Sequence, residues 1–182
     1  MVYQIISLLL DVAAGLVGGA CLLRAWMGQQ RIGFGNPVGR FVLALTNWLV
    51  LPLRRVLPAL GRWDTASIVG AYLVELLQYF LLWLLTARAA DGAVVPLLAL
   101  FGLLRLVVSG LTGLMIVYAI LSWVRADSPI VDVIDRLCAP LLRPLRRVIP
   151  LVGGIDLSPL VFLLLLQVAS IVIGGLQVAL LR

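Results

Sequence analysis

The sequence predicts an all-α membrane protein, with four transmembrane helices as two parallel tandem repeats, each carrying an amphipathic interfacial or re-entrant segment. Three observations predict it. Hydrophobic residues make up 63% of the chain and charged residues only 12%, about half the charge of a typical soluble domain. So few charges cannot clothe a water-facing surface. Four stretches are apolar over the roughly 20 residues that a bilayer crossing requires. One seven-residue motif occurs twice, as PLRRVLP from Pro52 to Pro58 and PLRRVIP from Pro144 to Pro150, offset by 92 residues.

The expected spans are residues 3–23, 68–87, part of 94–124, and 158–181. The N-terminal stretch has no Lys or Arg ahead of it, Asp11 interrupts it, and no small-x-small cleavage site follows. It is therefore expected to be a retained first span and not a signal peptide. The third stretch would be about 45 Å long as one helix at ~1.5 Å per residue. The preferred reading makes residues 94–100 a separate lead-in segment, with the repeat unit starting near Phe101.

The connections between spans one and two, and between three and four, are apolar, Pro-punctuated and Arg-rich. The second reads as an amphipathic helix capped by Ser128, with Pro129 as its first residue. Asp132, Asp135 and Arg136 share one face, and Ile130, Val133, Ile134, Leu137 and Leu141 the other. The first connection begins in the same way, with Asn36-Pro37. Segments of this kind lie in the headgroup plane or dip into the bilayer and return.

The repeat extends beyond the motif. At the same offset Gly61 matches Gly153 and Asp64 matches Asp156, while Trp26 precedes Asn36-Pro37 as Trp123 precedes Ser128-Pro129. Compositional bias alone would not place both prolines and both arginines. The units are residues 1–90 and 91–182. Each holds two spans, so the copies share one orientation. Arginines crowd both long connections, whereas the link between spans two and three has Arg88 alone, with Arg105 further in. The positive-inside rule then predicts cytoplasmic long connections and external termini.

These residues resemble the YggT family of small bacterial and plastid membrane proteins. The second copy is the fuller match: Pro140-Leu-Leu-Arg-Pro-Leu-Arg-Arg-Val-Ile-Pro, then Gly153-Gly154-Ile155-Asp156-Leu157-Ser158-Pro159-Leu160. In the first copy Trp48 stands where Pro140 is, and Ala66-Ser67 replaces Ser158-Pro159. The resemblance covers nearly the whole chain and implies a four-span tandem form. It also implies membrane roles as diverse as osmotic and potassium tolerance, cell division, haem attachment to a cytochrome and nucleoid distribution. A non-enzymatic scaffold or assembly factor of the bacterial cytoplasmic (inner) membrane accommodates that range best. The alternative is a small transport or channel component in osmotic or potassium homeostasis.

The residues themselves point away from catalysis. The chain has no His, which removes the commonest general base and metal ligand. Cys21 and Cys138 lie far apart, without metal-ligand spacing. No enzyme activity, cofactor or metal is expected. The motif arginines Arg54, Arg55, Arg143, Arg146 and Arg147 are candidates for gripping anionic phospholipid headgroups or docking a membrane-protein partner. Pro52, Pro58, Pro144 and Pro150 are expected to confine each motif to about one helical turn. Asp64 and Asp156, with Ser158 and Pro159, are expected to cap the even-numbered spans. Asp11, Glu75, Arg105 and Gln167 are polar groups inside spans and so functional candidates. Asp11 is expected to pair with Arg105, and Glu75 matches Gln167 across the repeat. Gly15 with Gly19, and Ser109 with Gly113, have the spacing of close helix contacts, within the chain or in a homo-oligomer. Nothing suggests nucleic acid.

Overall fold

The computed structural model describes residues 1–58, 63–86, 92–124, 128–149 and 156–180, with the backbone only at 123 and 124. Their elements are six α-helices: α1 (Val2–Gln29), α2 (Pro37–Val56), α3 (Thr65–Leu85), α4 (Val95–Val124), α5 (Pro129–Arg146) and α6 (Ser158–Leu180), with a 3-10 turn at Gly92–Val94 before α4. Helices α1, α3, α4 and α6 are long and apolar enough to cross a membrane. Their outward faces carry large apolar side chains such as Leu8, Val12, Leu164 and Ile171, as lipid contact requires.

One boundary differs from the sequence reading. Residues 94–100 do not form a separate piece, because α4 runs unbroken from Val95. Pro96 sits in its first turn, where a missing N–H is harmless. A helix of 30 residues is ~45 Å long, so it tilts or projects beyond the hydrocarbon.

Helices α2 and α5 begin at matching residues of the repeat. The Asn36 side chain accepts from the Gly39 N–H at 2.8 Å, and the Ser128 hydroxyl accepts from the Ile130 N–H at 3.4 Å. The caps expected at these residues are present. The buried sides match as well: Val42, Thr46 and Val50 in α2 correspond to Ile134, Cys138 and Leu142 in α5, and all six are buried. Asp132, Asp135 and Arg136 point outward.

The proline motif is not the isolated turn predicted. Pro52 lies inside α2 and Pro144 inside α5, so each PLRR stretch is the closing part of a longer helix. Proline in a helix removes one donor and opens the ladder on one side. In the first copy the helix stops at Leu57, whose backbone is extended, just before Pro58. Pro150, Gly61 and Gly153 lie outside the described residues.

Helix α3 packs against both α1 and α4, and α6 packs against α4 and α5. A cluster of Met27, Ile32, Val42, Val133 and Leu137 joins the two copies through α1, α2 and α5. Helices α1 and α4 meet at Gly18, where an added Cβ would stand 2.7 Å from Leu106 Cδ2. The glycine pairs picked out by spacing are placed otherwise. Gly15 and Gly113 have nothing near a Cβ position; with Gly19 and Gly110 they line an apolar groove of about 640 Å³ between α1 and α4.

Candidate functional site

Two arrangements of polar side chains stand out, one at the ends of α2 and α5 and one within the spans. In the first copy the Arg54 guanidinium forks onto Asp64, with Nη2–Oδ2 at 2.5 Å and Nε–Oδ1 at 3.3 Å. In the second copy Arg146 Nε donates to Asp156 Oδ2 at 2.8 Å. These four residues occupy matching positions of the repeat, so each unit ties the end of its short helix to the start of its even-numbered span by the same ion pair. Arg146 also donates to the Tyr118 hydroxyl on α4 at 2.7 Å. The neighbouring Arg55 and Arg147, and Arg143 one turn earlier, are exposed and make no ion pair among the described residues.

The aspartates do more than cap. Asp64 stands before α3, but its side chain takes no backbone N–H of the first turn. It receives the Ser67 hydroxyl at 2.6 Å instead. Burial disfavours its charge, but the hydrogen bonds from Arg54 and Ser67 and the charges of Arg54 and Arg24 outweigh burial and hold its carboxyl below the usual range. Asp156 does cap, accepting the Ser158 N–H at 2.9 Å. Ser158, expected to be the cap, is instead the first helical residue, with Pro159 behind it. Burial again opposes ionisation of Asp156, and the bonds from Ser158 and Arg146 overcome it.

Sequence reasoning missed the residue that completes the first pair. Arg24 lies near the end of α1 and is 2% exposed. Its Nη1 donates to Thr46 Oγ1 at 2.8 Å and Asn47 Oδ1 at 2.9 Å, and its Nε lies 3.8 Å from Asp64. The available signal was Thr46-Asn47, a polar pair in an otherwise apolar stretch of α2. Trp26 was noted only as a repeat marker. Its indole N–H donates across the repeats to the Leu137 carbonyl at 3.1 Å.

The second arrangement lies between α1, α3 and α4. Glu75 is 5% exposed and Gln78 is 7% exposed. The Gln78 amide donates to Asp11 Oδ1. Arg105 lies beside Tyr79. The predicted Asp11–Arg105 pair is not formed: Asp11 meets Gln78 on α3, and Leu106, next to Arg105, lies against Gly18, about two turns along α1 from Asp11. Glu75 and Gln167 are likewise not a matched seam. Glu75 is enclosed by α4, whereas Gln167 is exposed, because no helix covers that side of α6.

Comparison with known proteins agrees with the doubled architecture. The CCB3/YggT family model matches the chain twice, over residues 3–85 and 97–177. YggT of Escherichia coli K12 is 38% identical over 171 residues, covering 91% of this chain and 87% of that protein. A Vibrio alginolyticus protein encoded in the proC 3' region is 35% identical over 176 residues, covering 94% and 92%. An uncharacterised Pseudomonas aeruginosa protein is 35% identical over 160 residues, covering 85% and 81%. No solved structure matches. Two matches in tandem, together spanning most of the chain, place this protein in the CCB3/YggT family.

Proposed function

We propose that the protein is a non-enzymatic scaffold or assembly factor of the bacterial cytoplasmic membrane, in which α2 and α5 lie at the cytoplasmic headgroup level and hold anionic lipid. One observation carries the reading. In both copies the first motif arginine is bound to an aspartate, and the second is exposed and makes no ion pair among the described residues. The aspartate fixes the helix end, and Arg55 or Arg147, with Arg143, then presents a guanidinium at a set position. A guanidinium fork suits phosphate oxygens, and each arginine near an anionic surface contributes ~1 kcal/mol. The other candidate for that surface is an acidic segment of a membrane-protein partner.

The test is lipid retention. Purified protein is exchanged into mixed phosphatidylglycerol and phosphatidylcholine, and the lipid that co-purifies is quantified. Arg55→Ala with Arg147→Ala is expected to reduce the phosphatidylglycerol preference by about fivefold per arginine. An unchanged preference would sink the lipid reading. The competing reading, a transport component in osmotic or potassium balance, draws on the polar groups within the spans. A potassium flux assay in liposomes separates the two.

A further inference from the structure

We propose that Glu75 is a proton-binding carboxyl at the centre of the membrane, and that Asp11, Gln78, Tyr79 and Arg105 around it make a proton-exchange site between α1, α3 and α4. The inference is independent of the scaffold reading.

Glu75 lies at the midpoint of α3 (Thr65–Leu85) and is 5% exposed. Among the described residues no hydrogen-bond donor meets its carboxylate. An ionised carboxylate without donors in an apolar interior is too costly to persist, and the group takes a proton instead. The matching residue of the second copy is Gln167, an amide of nearly the same shape that carries no charge. What Glu75 adds over an amide is a proton that can leave.

The neighbouring helix is shaped to the carboxyl. A Cβ on Gly102 of α4 would overlap Glu75 Oε2 and the Tyr79 ring, so the α4 backbone lies directly against the acid. The charged and titratable groups beside Glu75 are Asp11 from α1 and Tyr79 from α3 itself, while Arg105 of α4 lies by Tyr79. Asp11 is exposed on α1 and accepts from Gln78, one turn along α3 from Glu75. The exchange forms or breaks one carboxyl O–H bond and no other.

Dicyclohexylcarbodiimide tests this in the full-length protein reconstituted into liposomes. The reagent enters bilayers and reacts with the protonated acid. The acid proton passes to a carbodiimide nitrogen, the carboxyl oxygen adds to the central carbon, and the adduct rearranges to a stable N-acylurea that peptide mass spectrometry locates. We expect modification at Glu75 that falls about tenfold per pH unit once the carboxyl ionises, and none in Glu75→Gln. In Asp11→Asn, which loses a neighbouring negative charge, the fall is expected at lower pH. Absence of the adduct from Glu75 at every pH overturns the proposal. So does an adduct of constant yield from about pH 5 to about pH 10, a range that brackets buried carboxyls. Suppression by sodium or potassium ions at fixed pH also overturns it, in favour of a metal-cation site.

Discussion

At the scale of single residues, the two ion pairs are alike in position and unlike in depth. Arg54 and Arg146 have side chains about equally exposed, at 45% and 44%, while Asp64 is 12% exposed and Asp156 28%. Asp64 also faces buried Arg24, for which the second copy has no equivalent. Asp64→Asn should therefore cost about 1–3 kcal/mol, since it strips a buried cation of its counter-charge. Asp156→Asn should cost under ~1 kcal/mol, as for an exposed pair. Thermal unfolding in detergent compares them, and equal losses would contradict the role given to Arg24. Both aspartates hold their protons less tightly folded than unfolded. Their stabilisation is complete above about pH 4, the unfolded carboxyl range. It is lost as the pH falls through the lower folded values. The double Asn variant should lose that part of the acid dependence. Cys138 gives a separate check, because burial and then Asp135 push its thiol up to about 12. Maleimide near neutral pH should leave it unmodified until the protein is unfolded in dodecyl sulfate.

At the scale of elements, the helix starts were legible and the helix ends were not. Asn36-Pro37 and Ser128-Pro129 carry local chemistry that fixes a first turn whatever surrounds it. The PLRR prolines look like breakers, but Pro52 and Pro144 lie inside α2 and α5, and the sequence does not reveal that the helix has already begun. The continuity of α4 was hidden for a related reason, since Pro96 marks a beginning and was read as part of a separate piece. Glycine spacing misled as well. Gly15 and Gly19 have the familiar pattern, yet Gly18 is the residue pressed against α4, and only the rotation of α1 decides that. Gly18→Ala should be tolerated, because the atom in its way is the far end of the flexible Leu106 side chain. Gly18→Ile should lower stability by ~1–3 kcal/mol through overpacking, read as a drop in Tm in the same detergent assay.

At the scale of the whole molecule, the doubled unit was legible because a repeat imposes the same residues twice. The partners of the in-span polar groups were not, because the axial offset between two helices is set by their packing. Leu106, beside Arg105, meets Gly18, about two turns along α1 from Asp11. Membrane orientation is open to direct measurement. Single cysteines at positions 55 and 147 should be labelled by an impermeant maleimide from the cytoplasmic side only, and labelling from the outside would reverse the assignment from the arginine distribution.

The covering of Glu75 by α4, with no equivalent cover over Gln167, means that the halves are not interchangeable. The first half provides an acid that needs a neighbour, and the second provides the neighbour. Coexpressed as separate polypeptides, the first and second halves should reassemble into a stable particle. Two second halves should not reproduce its chemistry, since Gln167 carries no proton to exchange. The two copies share an anchor, and only the first has an acid at this position.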